Sequence, residues 1–175
     1  VVWVVGYIEG KSVGSVSMAG KKGIADYAFS ECDTITAVTD TSDMQYIGKS
    51  AFYLSSLKSI SLGRKVTEIK PYTFYGCELG AITLPANLTT IGRSAFYGSS
   101  LTRIDFSQSN KLERIGEYAF FSSESLERVC FGDTLKEIGD CAFYGCTVLD
   151  LSLEGSELPD SLEKIGRAAF RKCSA

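Results

Sequence analysis

A six-residue pattern, I-G-x-x-A-F, recurs at a nearly fixed interval along this chain, and no other feature restricts its fold as much. It reads Ile47-Gly48-Lys49-Ser50-Ala51-Phe52 and returns in full at Ile91, Ile115, Ile138 and Ile165, with looser copies at Ile24 and Ile69. Successive isoleucines lie 23, 22, 22, 24, 23 and 27 residues apart. A second pattern, L-x-x-I-x-L, fills the intervals. It is clear at Leu57-x-x-Ile60-x-Leu62 and Leu79-x-x-Ile82-x-Leu84, ends in Phe after Leu101 and Leu126, and is weaker from Val13, Ile35 and Val148. A unit this short cannot bury its own apolar face. Copies must stack to close a continuous core, which makes the chain a solenoid.

The Ile-x-Leu alternation has the period of two of a strand with one buried side. The Ala-Phe pair suits a tight helical turn whose ring fills the core. Apolar residues three before most motif isoleucines (Met44, Val66, Leu88, Leu112, Leu135 and Leu162) predict a chain extended into that turn. With parallel strands about 4.8 Å apart, seven coils make a slab roughly 30–35 Å long. Crossovers between parallel strands wind right-handed. The wider spacing before Ile165 places an insertion around residues 154–160, expected as a loop on one flank.

The two alternating patterns resemble the BspA-type, or Treponema pallidum-type, leucine-rich repeat, and the match runs over residues 13–173. The resemblance implies an α/β leucine-rich-repeat solenoid of about seven coils. A parallel concave β-sheet would line one side, with short helical turns or extended segments on the convex side. It also implies a place among surface or secreted proteins of bacteria and some protists that bind host or matrix proteins. Ala25 and Lys70 stand where the motif has Gly, Asp40 where a strand ends apolar, and the strand-end proline survives only as Pro85. Residues 1–12 read as a degenerate half-repeat or N-terminal cap, with Val2 aligned under Ile24, and residues 13–175 as one array. Both ends fall in mid-repeat, so a segment of a longer array is expected.

Composition excludes several activities. The 175 residues contain no histidine, which removes the commonest general base and metal ligand. No Ser or Cys nucleophile is paired with a base, no P-loop or Ca²⁺ loop occurs, and no cofactor, metal or catalytic residue is expected. A net charge of −3 gives no electrostatic footprint for nucleic acid. No apolar run reaches the ~18 residues of a membrane span. The six cysteines form no C-x-x-C pair. Cys32, Ser55, Cys77, Ser99, Ser123, Cys146 and Cys173 share one repeat position after the core Phe. A small buried site takes either residue type there, with S–H or O–H reaching a turn carbonyl. A Cys146–Cys173 disulfide is the alternative reading of that row. Tyr53, Tyr75, Tyr97, Phe121 and Tyr144 form a second row, read as packing between coils rather than a binding ridge.

The outward residues of the expected concave sheet are small and uncharged in the first four coils and charged further on. Arg103, Asp105, Arg128, Cys130 and Asp150 at that charged end are the candidate binding residues, since Arg is enriched in protein interfaces. The expectation is a non-catalytic, adhesin-like protein-binding module at the cell surface or secreted. A structural spacer displaying another domain is one alternative. A glycan-binding module is a weaker one, because the sheet lacks aromatic platforms. Free thiols also suit a cytosolic scaffold.

Overall fold

The structure is a computed structural model that describes residues 14–174 together with the backbone of Trp3 and Val4. The remaining residues of the expected half-repeat lie outside the described residues. Each coil carries two strands. The three-residue strands are β2 (Ser15–Ser17), β4 (Ala37–Thr39), β6 (Ser59–Ser61), β8 (Ala81–Thr83), β10 (Arg103–Asp105) and β12 (Arg128–Cys130). The two-residue strands are β1 (Trp3–Val4), β3 (Gly23–Ile24), β5 (Tyr46–Ile47), β7 (Glu68–Ile69), β9 (Thr90–Ile91), β11 (Arg114–Ile115), β13 (Glu137–Ile138) and β14 (Lys164–Ile165). Every pairing is parallel and in repeat register, for example Ile60 with Ile82 and Ile91 with Ile115. The array is thus a parallel β-solenoid. Val4 pairs with Ile24, two residues from the alignment that set Val2 there.

In the expected strands the central residue is turned to the core, most clearly in β6, where Ile60 is 4% exposed between exposed Ser59 and Ser61. The motif isoleucines 24, 47, 69, 91, 115 and 138 are fully or almost fully buried from the other side. Phe29, Phe52, Phe74, Phe96, Phe120, Phe143 and Phe170 stack down the middle with centroids 5.0–5.7 Å apart. Offset parallel rings of this kind contribute about 0.5–1.5 kcal/mol per pair beyond burial.

The convex arc takes the extended and turn form rather than the helical one. The only helix among the described residues is a 3₁₀ turn, Thr41–Asp43. Hydrogen bonding shows why. Ala51, Tyr53 and Ser55 donate back to Gly48, Ser50 and Phe52 (3.3, 3.2 and 3.1 Å), while Ser50, Phe52 and Leu54 donate to Pro71, Thr73 and Tyr75 of the next coil (3.1, 2.9 and 2.7 Å). With alternate N–H groups committed to the neighbour, a continuous i→i−4 ladder cannot run. The geometry is closed by two left-handed residues per coil, such as Ser50 (φ 51) and Leu54 (φ 50) or Ser94 (φ 51) and Gly98 (φ 61).

The motif glycine sets how closely coils approach. A Cβ on Gly48 would lie 2.4 Å from Ala25 C and Asp26 N, and one on Gly92 would lie 2.7 Å from Pro71 N. Lys70 occupies this position in its coil, and here the two-residue row splits into β1-β3-β5 and β7-β9-β11-β13-β14. Ala25, at the same repeat position, leaves β1–β3 paired, whereas at Lys70, whose side chain lies over the Tyr46 ring of the preceding coil, the β5–β7 ladder is open. Thr73, buried where other copies have Ala, donates to the Gly48 carbonyl across this gap (3.1 Å). The three-residue row breaks between β8 and β10, beside the coil that carries two extra residues between Phe106 and Ile115.

The seventh three-residue strand does not form. Leu149, not Val148, enters the core (1% against 43% exposed), so the Val148-x-x-Leu151-x-Leu153 register is one residue out. The corrected register puts Ser152 where an apolar centre is needed. Asp150 accepts from the Ser152 amide and hydroxyl (2.8 and 2.7 Å), turning the chain off the sheet. The insertion therefore starts at Asp150, earlier than expected.

Candidate functional site

The face formed by the three-residue strands divides in two. Over β4, β6 and β8 lies a shallow groove of about 330 Å³ lined by Ala37, Thr39, Ser59, Ser61, Ala81 and Thr83 above Val38, Ile60 and Ile82. Its walls carry methyl and hydroxyl groups and no charge. The small, uncharged character of these residues is legible in the sequence, although the expected site lies at the charged end. A depression over them follows only from how the strands stack.

The charged end lies on β10 and β12, where Arg103 pairs in register with Arg128 and Asp105 with Cys130. Arg103 Nη2 donates to Asp105 Oδ2 (3.1 Å) and lies 3.8 Å from Cys130 Sγ. Burial pushes the Asp105 carboxyl up, but hydrogen bonds from Ser107 and the Arg103 guanidinium outweigh it and leave a net downward shift. Cys130 corrects an expectation: alternation points it outward, yet it is 7% exposed, because Arg103 reaches over it from the adjacent strand. The Asp150 amide donates to the Glu127 carbonyl (3.1 Å) beside this cluster, but its carboxylate accepts from Ser152 rather than from either arginine. Its carboxyl is held below the usual range by the Ser152 hydroxyl and amide. Arg128 turns to the insertion, where Nη2 donates to the Glu154 carbonyl. Of the five candidates, Arg103, Asp105, Arg128 and Cys130 therefore share a patch, and Asp150 lies at its edge with its carboxylate turned to its own loop.

A second depression, about 310 Å³, opens over the two-residue strands and is lined by Glu68, Thr90, Arg93, Arg114 and Glu117. Its charges are already matched: Arg93 with Glu117 (2.5 Å), Arg114 with Glu137 (3.3 Å) and Lys70 with Glu68 (2.7 Å).

Four of the seven positions in the Cys/Ser row reach a turn carbonyl as expected, while Cys32, Ser55 and Ser99 meet the side chains of Thr34, Cys77 and Ser123. Cys77, Cys146 and Cys173 donate to the carbonyls of Phe52, Phe120 and Phe143 (2.7, 3.1 and 3.1 Å), and Ser123 donates to Phe96 (2.9 Å). All six cysteines are free thiols, so the alternative Cys146–Cys173 disulfide is not formed. Burial pushes the Cys77 thiol up to about 11 and that of Cys146 to about 12. The tyrosine row is half-buried and stacked at 4.5–5.0 Å, ring on ring, which spends the faces a ligand would need. Among the described residues no group of His, Cys, Asp or Glu could hold a metal ion, and no helix is long and apolar enough to cross a membrane.

Stacked 22–27-residue units, parallel ladders and a continuous Phe spine define the leucine-rich-repeat solenoids, a class of interaction and scaffold modules. The sequence profile of the BspA type leucine rich repeat region matches residues 22–150 and 149–175, with 6 copies. The chain belongs to that family. It is similar to the T. pallidum leucine rich repeat protein (27% identity, TM-score 0.83, covering 93% of this chain and 78% of that one). It is also similar to a leucine-rich repeat protein from Bacteroides ovatus (30% identity, TM-score 0.72), covering 86% of this chain but only 44% of that one. This chain thus spans less than half of the B. ovatus protein. A Eubacterium ventriosum leucine-rich repeat protein shares the fold at 18% identity and TM-score 0.51, covering 92% of this chain and 70% of that one. No curated protein matches the chain.

Proposed function

We propose that this protein is a non-catalytic protein-binding module that docks its partner on the face of the three-residue strands, as an adhesin-like surface or secreted protein recognising host or matrix proteins. The observation that carries the reading is the uncovered groove over β4, β6 and β8. A parallel sheet is ordinarily covered on both faces, and here one face is left open beside the Arg103–Asp105 patch. The opposite row has its charges internally matched, which favours the first face. The surface or secreted location rests on the family. A chain without histidine, whose buried thiols are held protonated, supports the non-catalytic assignment.

The test is surface plasmon resonance against a panel of purified matrix and serum proteins. Saturable binding to at least one is expected, weakened about tenfold (~1.4 kcal/mol) by Ser59→Arg with Ser61→Arg and unchanged by Lys49→Glu, which lies off this face. No binding, or equal loss in both variants, would remove this face from the function.

A further inference from the structure

Arg128 differs from every other arginine among the described residues. The other six, Arg64, Arg93, Arg103, Arg114, Arg167 and Arg171, are exposed, whereas Arg128 is half-buried. It makes no ion pair among the described residues, and its one hydrogen bond goes to a neutral acceptor, the Glu154 carbonyl. Its Nε is buried with no acceptor at all. Ser156, two residues on in the same inserted segment, is fully buried and its hydroxyl is likewise unpartnered. A guanidinium partly withdrawn from water without a counter-ion is less favourable than a paired one, and the unmet buried Nε donor adds to that. The inserted segment thus lies across Arg128 on a single hydrogen bond while leaving two polar atoms unsatisfied. No strand ladder holds it, since the seventh strand is missing.

We propose that Arg128 is the anchor for a carboxylate side chain of the protein partner, and that the segment around Glu154–Ser156 is a strap which that carboxylate displaces. Nε and Nη2 form one edge of the guanidinium, spaced for the two oxygens of a carboxylate. At present the Glu154 carbonyl takes the Nη2 donor alone. Lifting the strap frees both donors and lets the Ser156 hydroxyl reach water. Arg103, in register on β10, is already matched by Asp105, so the unmet charge is that of Arg128. The surroundings choose the ligand. Asp105, Glu127, Asp150, Glu154 and Glu157 sit at this end of the face, which disfavours a polysulfated glycan. The adjoining groove is uncharged. The complementary partner is a neutral, hydroxyl-rich peptide segment bearing one Glu or Asp.

This inference rests on the reading of the face as a protein-docking surface, and the experiment separates the two. The intact chain is titrated by NMR, following the Arg Nε–Hε and backbone amide signals, with the blocked peptide Ser-Thr-Glu-Thr-Ser and with its Gln counterpart. The Arg128 Hε and the Gly155 and Ser156 amides are expected to shift saturably with the Glu peptide. The Gln peptide and Arg128→Gln should each weaken this about tenfold. Arg128→Lys, which keeps the charge but loses the side-on pair of donors, should fail to restore affinity. Unmoved Arg128 and strap signals, equal effects of the two peptides, or stronger competition by a heparin-type oligosaccharide would overturn the proposal. If the matrix-protein binding fails while the peptide result holds, the carboxylate site stands without that docking role. If Ser59→Arg abolishes protein binding but the peptides are not distinguished, this proposal alone falls.

Discussion

At the scale of single residues, the fold depends on two positions per coil where the backbone is left-handed. Gly76, Gly98 and Gly145 meet the second of these with glycine, whereas Glu31, Leu54, Ser122 and Lys172 occupy it with side chains. A Cβ on Gly98 would meet nothing within 4 Å, so Gly98→Ala isolates the conformational penalty. A loss of about 1 kcal/mol is expected in denaturant unfolding. The exposed Glu31→Gly change should gain about 0.5 kcal/mol, since relief of φ 56 is partly offset by chain entropy. The thiol row gives a second test. Cys146→Ser should be nearly neutral, because Ser123 makes the same bond one coil earlier, whereas Cys146→Ala should cost about 1 kcal/mol by removing the donor to Phe120. Burial raises the folded pKa of Cys77 and Cys146 above the ordinary value of 9.0, to about 11 and about 12. Below pH 9 their stabilisation is complete. Above it the unfolded chain ionises first, so stability should fall as pH rises from about 9 to about 12. Unfolding midpoints across that range check this, and Cys77→Ser with Cys146→Ser should flatten the dependence.

At the scale of elements, each coil is a pair of short strands joined by turns whose N–H groups alternate between their own coil and the next. The L-x-x-I-x-L period was enough to place the three-residue strand, whereas the two-residue strand at the motif isoleucine was legible only as chain extended into the turn. The Ala-Phe block read equally well as a helical turn. Only the neighbouring coil's carbonyls, at 2.6–3.1 Å, decide against it. Lys70 shows how one departure from the motif acts on an element. Ala25 stands at the same position and leaves β1–β3 paired, whereas at Lys70, with its longer side chain, the β5–β7 ladder is lost. Lys70→Gly should close it. The expected signature is slower amide exchange at residue 70 and a gain of about 1 kcal/mol, after allowing for the half-buried Glu68 pair at the surface, which is worth little. Unchanged exchange would assign the break to another cause. The misplaced seventh strand arose the same way: Val148 and Leu149 are both apolar, and the pattern could not tell which one the core would take.

At the scale of the whole molecule, stability is a sum over coils and their interfaces, so it varies along the array. Ile138 is wholly buried between coils, whereas Ile165, at the same repeat position in the last coil of this chain, is 48% exposed. Ile138→Ala should therefore cost about 3–4 kcal/mol and Ile165→Ala about 1 kcal/mol, with amide exchange fastest through β14. Equal costs would mean that the last coil is covered. The candidate site was only partly legible in advance. Its uncharged and charged halves could be read from which residues face outward along each strand. Its depression, the covering of Cys130 by Arg103 and the strap over Arg128 could not, because each depends on side chains from different coils meeting in space. The sequence by itself determined the unit, its number and its stacking, since a repeated apolar pattern too short to bury itself admits little else. The tertiary structure alone decided which backbone groups pair across coils, where a ladder opens, and which arginine is left without a counter-charge. Those outcomes turn on distances of a few tenths of an ångström between segments more than twenty residues apart, which no local pattern encodes.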